Sequence, residues 1–194
     1  MRLKYSLGAV LATIAATAAV VAGVTQPAFA SNPGTIVNYG SGMCLQPLAG
    51  PFQTVTDNGV RIAQMPCNAG VAEQQWQSVF LGQGTDPLDS CSKIIGCPVV
   101  FQESYYYIIN QTSHKCLDVT DARTNDQAEI QQYDCNGGGS EKWYQRSYAF
   151  GRTQYVNSRT GKCLDVPNAT TNATYIWQYH CTNSNVAQAY TFPS

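Results

Sequence analysis

Beyond its first thirty residues the sequence has no long apolar run, no cluster of basic residues, no CxxC pair and only two histidines, His114 and His180. Each absence closes a class of function. Without a further apolar run, nothing in the later chain suits a bilayer span. Without clustered lysine or arginine there is no surface of the kind that nucleic acid or an anionic membrane rewards. Cysteines with neither CxxC spacing nor histidine partners do not read as a zinc site, so no metal or other cofactor is expected. A helical period of three to four is missing too. So is a nucleophile with its base or a close pair of acids, which a hydrolase needs. The chain is expected not to be an enzyme.

The first thirty residues are two cations, Arg2 and Lys4, then an uncharged apolar run ending in Ala28-Phe29-Ala30. That is the layout of a secretory signal peptide with a small-x-small cleavage site, and it is set aside from the fold. Residues 31–194 then form one domain with a single core, in which nine cations face twelve anions. All eight cysteines fall in this exported part. An even number of cysteines in an oxidising compartment points to disulfides. The expected product is a secreted, extracellular monomer that does not insert into membranes.

One unit occurs three times. Aligned on Cys44, Cys116 and Cys163, each copy has an apolar residue seven positions earlier (Val37, Ile109, Val156), then Asn (Asn38, Asn110, Asn157), and Leu directly after the cysteine (Leu45, Leu117, Leu164). A second cysteine follows after 23, 19 and 18 residues, at Cys67, Cys135 and Cys181. Five before it stands Ile (Ile62, Ile130, Ile176), three before it Gln (Gln64, Gln132, Gln178), and an aromatic closes each copy (Trp76, Trp143, Tyr190). Recurrence at fixed offsets marks a repeat architecture.

Within a copy, short apolar or alternating runs are separated by Gly, Asn, Ser and Asp clusters, which predicts four strands and three turns. Twelve strands in three equivalent sets imply an all-β, pseudo-threefold closed barrel with a hairpin cap, built from repeats at about 34–80, 105–147 and 153–194. In this frame Cys44–Cys67, Cys116–Cys135 and Cys163–Cys181 each close a loop inside one copy, and the repeated Leu, Ile and aromatic supply the core. Between the first two copies lies an insertion of about 25 residues, near 81–104, holding Cys91 and Cys97. These two are expected to pair with each other, with intermolecular pairing as the alternative. An insertion is either a tolerated decoration or the place where a particular function is grafted. Asn110-Gln111-Thr112, Asn168-Ala169-Thr170 and Asn172-Ala173-Thr174 match the glycosylation acceptor pattern.

Cys116-Leu117-Asp118-Val119, Cys163-Leu164-Asp165-Val166, the run Ile130 to Gly138 and the closing elements Gln74-Gln75-Trp76, Glu141-Lys142-Trp143 and Gln188-Ala189-Tyr190 together resemble the ricin B-type (R-type) lectin family, which includes family 13 carbohydrate-binding modules. The resemblance covers the chain from about Val37 to Phe192, the insertion apart. It implies a β-trefoil with up to one shallow sugar pocket per repeat and carbohydrate, oligo- or polysaccharide, as partner. In such pockets the Asp after Cys-Leu accepts from vicinal hydroxyls, and an aromatic two before the second cysteine stacks on the sugar.

These residue types suit a pyranose. Its hydroxyls ask for an ionised carboxylate, which only accepts and makes charge-assisted bonds; its C–H face asks for an aromatic ring. Asp118 and Asp165 fit the first role, with capping of a turn as the plainer alternative. Strand alternation sets Tyr133 beside Gln131 in repeat two, and Tyr179 beside Trp177 in repeat three. The Trp177–Tyr179 pair either widens the platform for a longer glycan or fills the pocket. Ser140 and Glu141 in repeat two and Gln188 in repeat three complete the candidate sugar ligands, with Asn136, Asn183 or Asn185 as substitutes for an Asn the family carries. Repeat one has Gln46, Ala63 and Met65 instead and is expected to bind no sugar. Galactose- or xylose-type sugars are the expected ligands. The rival expectation is a trefoil that inhibits or adheres to a protein through its loops, above all the 81–104 insertion.

Overall fold

The computed structural model describes residues 31–85 and 102–192. The expected leader, Cys91, Cys97 and their disulfide lie outside these residues. Repeat one supplies β1 (Gly34–Thr35) and β2 (Val37–Asn38), one strand interrupted at Ile36, then β3 (Cys44–Pro47), β4 (Ile62–Met65) and β5 (Gln75–Thr85). Repeat two supplies β6 (Gln102–Asn110), β7 (Cys116–Val119), β8 (Ile130–Tyr133) and β9 (Trp143–Tyr148). Repeat three supplies β10 (Arg152–Asn157), β11 (Cys163–Asp165), β12 (Thr174–Tyr175) with β13 (Trp177–Tyr179), interrupted at Ile176, and β14 (Tyr190–Thr191). Both interrupting isoleucines are buried in the core. The described segments therefore count as four strands per repeat, and no α-helix occurs among the described residues.

The first and last strands of the repeats pair in a ring, β5–β6–β9–β10–β14–β2, and β1 returns to β5. Closure leaves no open edge in the barrel, which is how an all-β fold avoids unpaired strands. The inner strands form three hairpins, β3–β4, β7–β8 and β11–β13. Each is stapled by its own disulfide, Cys44–Cys67, Cys116–Cys135 or Cys163–Cys181. Loops of this length gain on the order of 3 kcal/mol from such a crosslink by restricting the unfolded chain. The architecture is a β-trefoil.

Each residue that recurs three times has one job done three times. Leu45, Leu117, Leu164, Ile62, Ile130, Ile176, Trp76, Trp143 and Tyr190 meet in a single core, each fully buried aliphatic contributing about 1.5–3 kcal/mol. The Trp76 and Trp143 indoles donate to the carbonyls of Leu45 and Leu117. The glutamine three before the second cysteine ties neighbours together. Gln64 donates to the backbone at Thr170 and Asn172 of repeat three, Gln132 to Val55 and Asp57 of repeat one, and Gln178 to Arg123 and Asn125 of repeat two. Asn110 is fully buried with its amide given to the carbonyls of Glu73 and Gln75, which closes that acceptor motif to a glycan.

Two features break the threefold pattern. Arg61, Glu129 and Tyr175 hold the same offset from the second cysteine in their repeats, yet Arg61 pairs with Glu129 at 2.9 Å and lies 3.9 Å over the Tyr175 ring. Further, β5 and β6 run on as a long hairpin past the barrel, paired out to Thr85↔Gln102. Residues 81–85 and 102–104, counted with the insertion from sequence, are thus strand. The register shifts between Phe80 and Gly82. Gly82 has φ +146, and a Cβ there would lie 3.0 Å from the Tyr105 hydroxyl, so the bulge needs glycine.

Candidate functional site

The cap hairpins of repeats two and three each carry a concavity. In repeat two, β7 and β8 set Asp118 opposite Gln131 and Cys116 opposite Tyr133. The alternation that sends Leu117 and Ile130 into the core sends Asp118, Gln131 and Tyr133 outward. With Ser140, Asn136, Asp121 and Ala122 they line a hollow of about 230 Å³. In repeat three, β11 and β13 set Asp165 opposite Trp177 and Cys163 opposite Tyr179. Asp165, Trp177 and Tyr179, with Gln127, Asn168, Ala169 and Asn185, line a hollow of about 250 Å³.

Both aspartates are 5% exposed, and in both burial pushes the carboxyl pKa up from its usual range. Hydrogen bonds oppose that shift. Asp118 accepts from the Gln131 amide at 2.9 Å and from the Ser140 hydroxyl, while nearby Asp121 adds to the rise. Asp165 accepts from the Trp177 indole N–H at 2.7 Å on one oxygen and from the Gln188 amide at 2.9 Å on the other. A carboxylate oxygen has two acceptor positions, so each carboxylate keeps capacity toward the hollow. What is left is a fixed acceptor of hydroxyl protons at the base of an open pocket.

The aromatic walls differ. Tyr133 stands alone and is 39% exposed. Tyr179 lies beside Trp177, ring centroids 6.3 Å apart and planes 25° apart, and its ring is within 4.2 Å of His180. Because the indole N–H is drawn to Asp165, Trp177 lies along the wall, and the hollow beside it stays open.

Two of the expected sugar ligands are elsewhere. Glu141 and Gln188 are fully buried behind the pockets. Glu141 takes the backbone N–H of Asn136 on its carboxylate at 3.0 Å. Gln188 bridges Thr182 N–H, His180 carbonyl and Asp165. They sit one turn before the closing aromatic, which points them inward with it, so they are correctly placed to hold the pocket loop and not to touch a ligand. Asn136 and Asn185 reach the hollows; Asn183 is not among the lining residues.

Sequence reasoning missed the turn after Val119 and Val166. Asp121 and Ala122 (φ 54 and 51) and Asn168 and Ala169 (φ 55 and 50) have left-handed backbone and form the second wall. The signal was present: Asp or Asn followed by Ala at one offset in both repeats, against Ala49-Gly50 in repeat one. Asp and Asn are the side chains that best tolerate this conformation.

The fold is that of the β-trefoil lectins, whose domain is carbohydrate-binding and generally non-catalytic. Residues 104–194 match the family model of the ricin-type beta-trefoil lectin domain. A designed threefold-symmetric protein, ThreeFoil, is 28% identical and superposes with a TM-score of 0.64 over 81% of this chain and 95% of its own. An exo-beta-1,3-galactanase from Clostridium thermocellum is 27% identical with a TM-score of 0.63, over 80% of this chain but only 28% of the enzyme. The hemolytic lectin CEL-III, 18% identical with a TM-score of 0.58 over 87% of this chain and 31% of its own, shares the fold. No curated protein matches the chain by sequence.

Proposed function

We propose that the protein is a secreted lectin that binds galactose- or xylose-type sugars, or polysaccharides bearing them, at two sites, Asp118 with Tyr133 and Asp165 with Tyr179. One observation carries this. At equivalent positions of two repeats a nearly buried carboxylate, held by hydrogen-bond donors, faces a pocket beside an aromatic ring, exposed at Tyr133 and half-buried at Tyr179. A neutral ligand with hydroxyl donors and a C–H face answers both groups at once. The leader layout, the even cysteine count and the three disulfides support export.

Such shallow sites bind weakly singly, and strength comes from engaging one polymer or glycan surface at both. A glycan array followed by Asp118→Ala with Asp165→Ala tests the assignment. Binding to galactose- or xylose-terminated glycans is expected, and the double change abolishes it. A blank array, or binding that survives the double change, sinks it.

A further inference from the structure

The residue two before the closing aromatic does the same work in repeats one and three and cannot do it in repeat two. Gln74 accepts from the backbone N–H after the second cysteine, Asn68, at 2.8 Å. Its amide donates to the carbonyl before that cysteine, Pro66, at 3.0 Å and to Gln46 at 2.8 Å. Gln188 repeats all three contacts, with Thr182, His180 and Asp165. In repeat two the residue is Glu141. It accepts from the equivalent N–H, Asn136, but an ionised carboxylate has nothing to donate to Asp118.

Glu141 and Asp118 are therefore two buried acids set where the other repeats set an amide and its acceptor. Among the described residues no cation lowers either carboxyl. Asp121 follows β7 and acts on Asp118, and the Tyr107 phenol on β6 feels Glu141. Lys142 directs its ammonium over the Tyr105 ring, Lys115 is taken by Asp134, and Arg159 presents its Cβ to Gly139. Burial pushes both carboxyls up, and the Asp118 charge adds to the rise at Glu141, together outweighing the backbone N–H groups that favour the charge there. A pair so coupled loses its two protons in separate steps, and in between it holds one.

We propose that Glu141 makes repeat two an acid-favoured sugar site. On binding, the Glu141–Asp118 pair takes one proton from solvent, and the protonated Glu141 then donates to Asp118 as Gln188 donates permanently to Asp165. The reason is desolvation: a sugar seated on Asp118 excludes water from a pair that already disfavours two charges. The inference rests on the assignment of Asp118 as a sugar ligand.

The test isolates each site. In the Asp165→Ala protein, where repeat two remains, affinity for methyl β-galactoside is expected to rise on acidification from neutral, by up to about tenfold per pH unit while the proton is taken up. Calorimetry in buffers of different ionisation enthalpy should show that uptake. In the Asp118→Ala protein, where repeat three remains, affinity should stay level or fall. Adding Glu141→Gln to Asp165→Ala should remove the acid preference and raise neutral affinity roughly tenfold, the value of one charge-assisted hydrogen bond. A profile in which repeat two follows repeat three, or in which Glu141→Gln keeps the acid preference, overturns the inference. A ligand-free measurement separates the two ideas. Glu141→Gln should melt higher than the parent at neutral pH, and the gap should close with acid. No gap overturns this inference alone. A closing gap with no galactoside response in either repeat overturns the sugar assignment and with it the coupling, leaving only the shared proton.

Discussion

Repeat one carries the same leucine, isoleucine, glutamine, closing aromatic and disulfide as its two sisters, yet where they present Asp118 with Tyr133 and Asp165 with Tyr179, it presents Gln46 with Met65. Both sets of residues lie on the same two hairpin strands, one facing the core and one facing solvent. The Gln46 side-chain oxygen accepts from the Gln74 amide. The difference teaches that the inner face is held by packing, which needs all three repeats to fill one core, while the outer face is free to diverge repeat by repeat.

The sharpest break in that comparison is on the inner face. Trp143→Ala removes a fully buried indole and its bond to Leu117 carbonyl. It is expected to cost about 3–5 kcal/mol of stability, read by denaturant unfolding, and to weaken both pockets together. Replacing Cys116 and Cys135 by serine should cost on the order of 3 kcal/mol and reduce binding chiefly at repeat two, whose hairpin it staples. Loss of stability with both pockets equally intact would mean the staple does not position Asp118.

The inner face was also the legible one. Repeated Leu, Ile, Gln and Cys at fixed offsets yield the trefoil because a threefold core leaves a threefold mark on the sequence. Asp118, Gln131, Tyr133, Asp165, Trp177 and Tyr179 were legible by strand alternation, and all six line the hollows. Glu141 and Gln188 were misjudged because they sit on a 3-10 turn, where alternation does not apply. The wall formed by Asp121 and Asn168 was missed because it depends on left-handed backbone, which leaves only a short Asp/Asn-Ala trace.

On the outer face, Asp165→Asn keeps the shape and removes the charge. Affinity at repeat three should fall roughly ten- to a hundredfold, about 1.5–3 kcal/mol, as befits a hydrogen bond to a charged acceptor, with repeat two unchanged in a per-residue NMR titration. Tyr133→Ala should cost repeat two less, about 1 kcal/mol, the scale of an aromatic contact. The same change at Tyr179 should cost less again, because Trp177 remains beside the vacated ring. If Tyr179→Ala is the more damaging of the two, the paired platform is not shared.

The smallest effect concerns stability and pH, and there two sets of carboxyls pull in opposite directions. Asp118 and Asp165 have carboxyl pKa values raised by burial, so the folded chain holds their protons more tightly than the unfolded chain does. Stability from these two groups therefore increases as pH falls through their folded pKa and is fully gained below the unfolded one. Asp57, Asp126 and Asp134 are the reverse: hydrogen bonds lower Asp57 through Thr54 and Asp134 through Lys115 and Asn58, while at Asp126 burial raises the carboxyl but Lys162 and His180 together outweigh it. Their contribution is present above the unfolded pKa and is lost as pH falls toward the folded one. The parent's profile mixes both sets, but comparison with Asp165→Asn isolates one. The variant should melt slightly higher than the parent at neutral pH, having no buried charge to desolvate, and the two should converge on mild acidification. An Asp165→Asn protein that melts lower at neutral pH would show that the Trp177 and Gln188 bonds outweigh the burial of the charge.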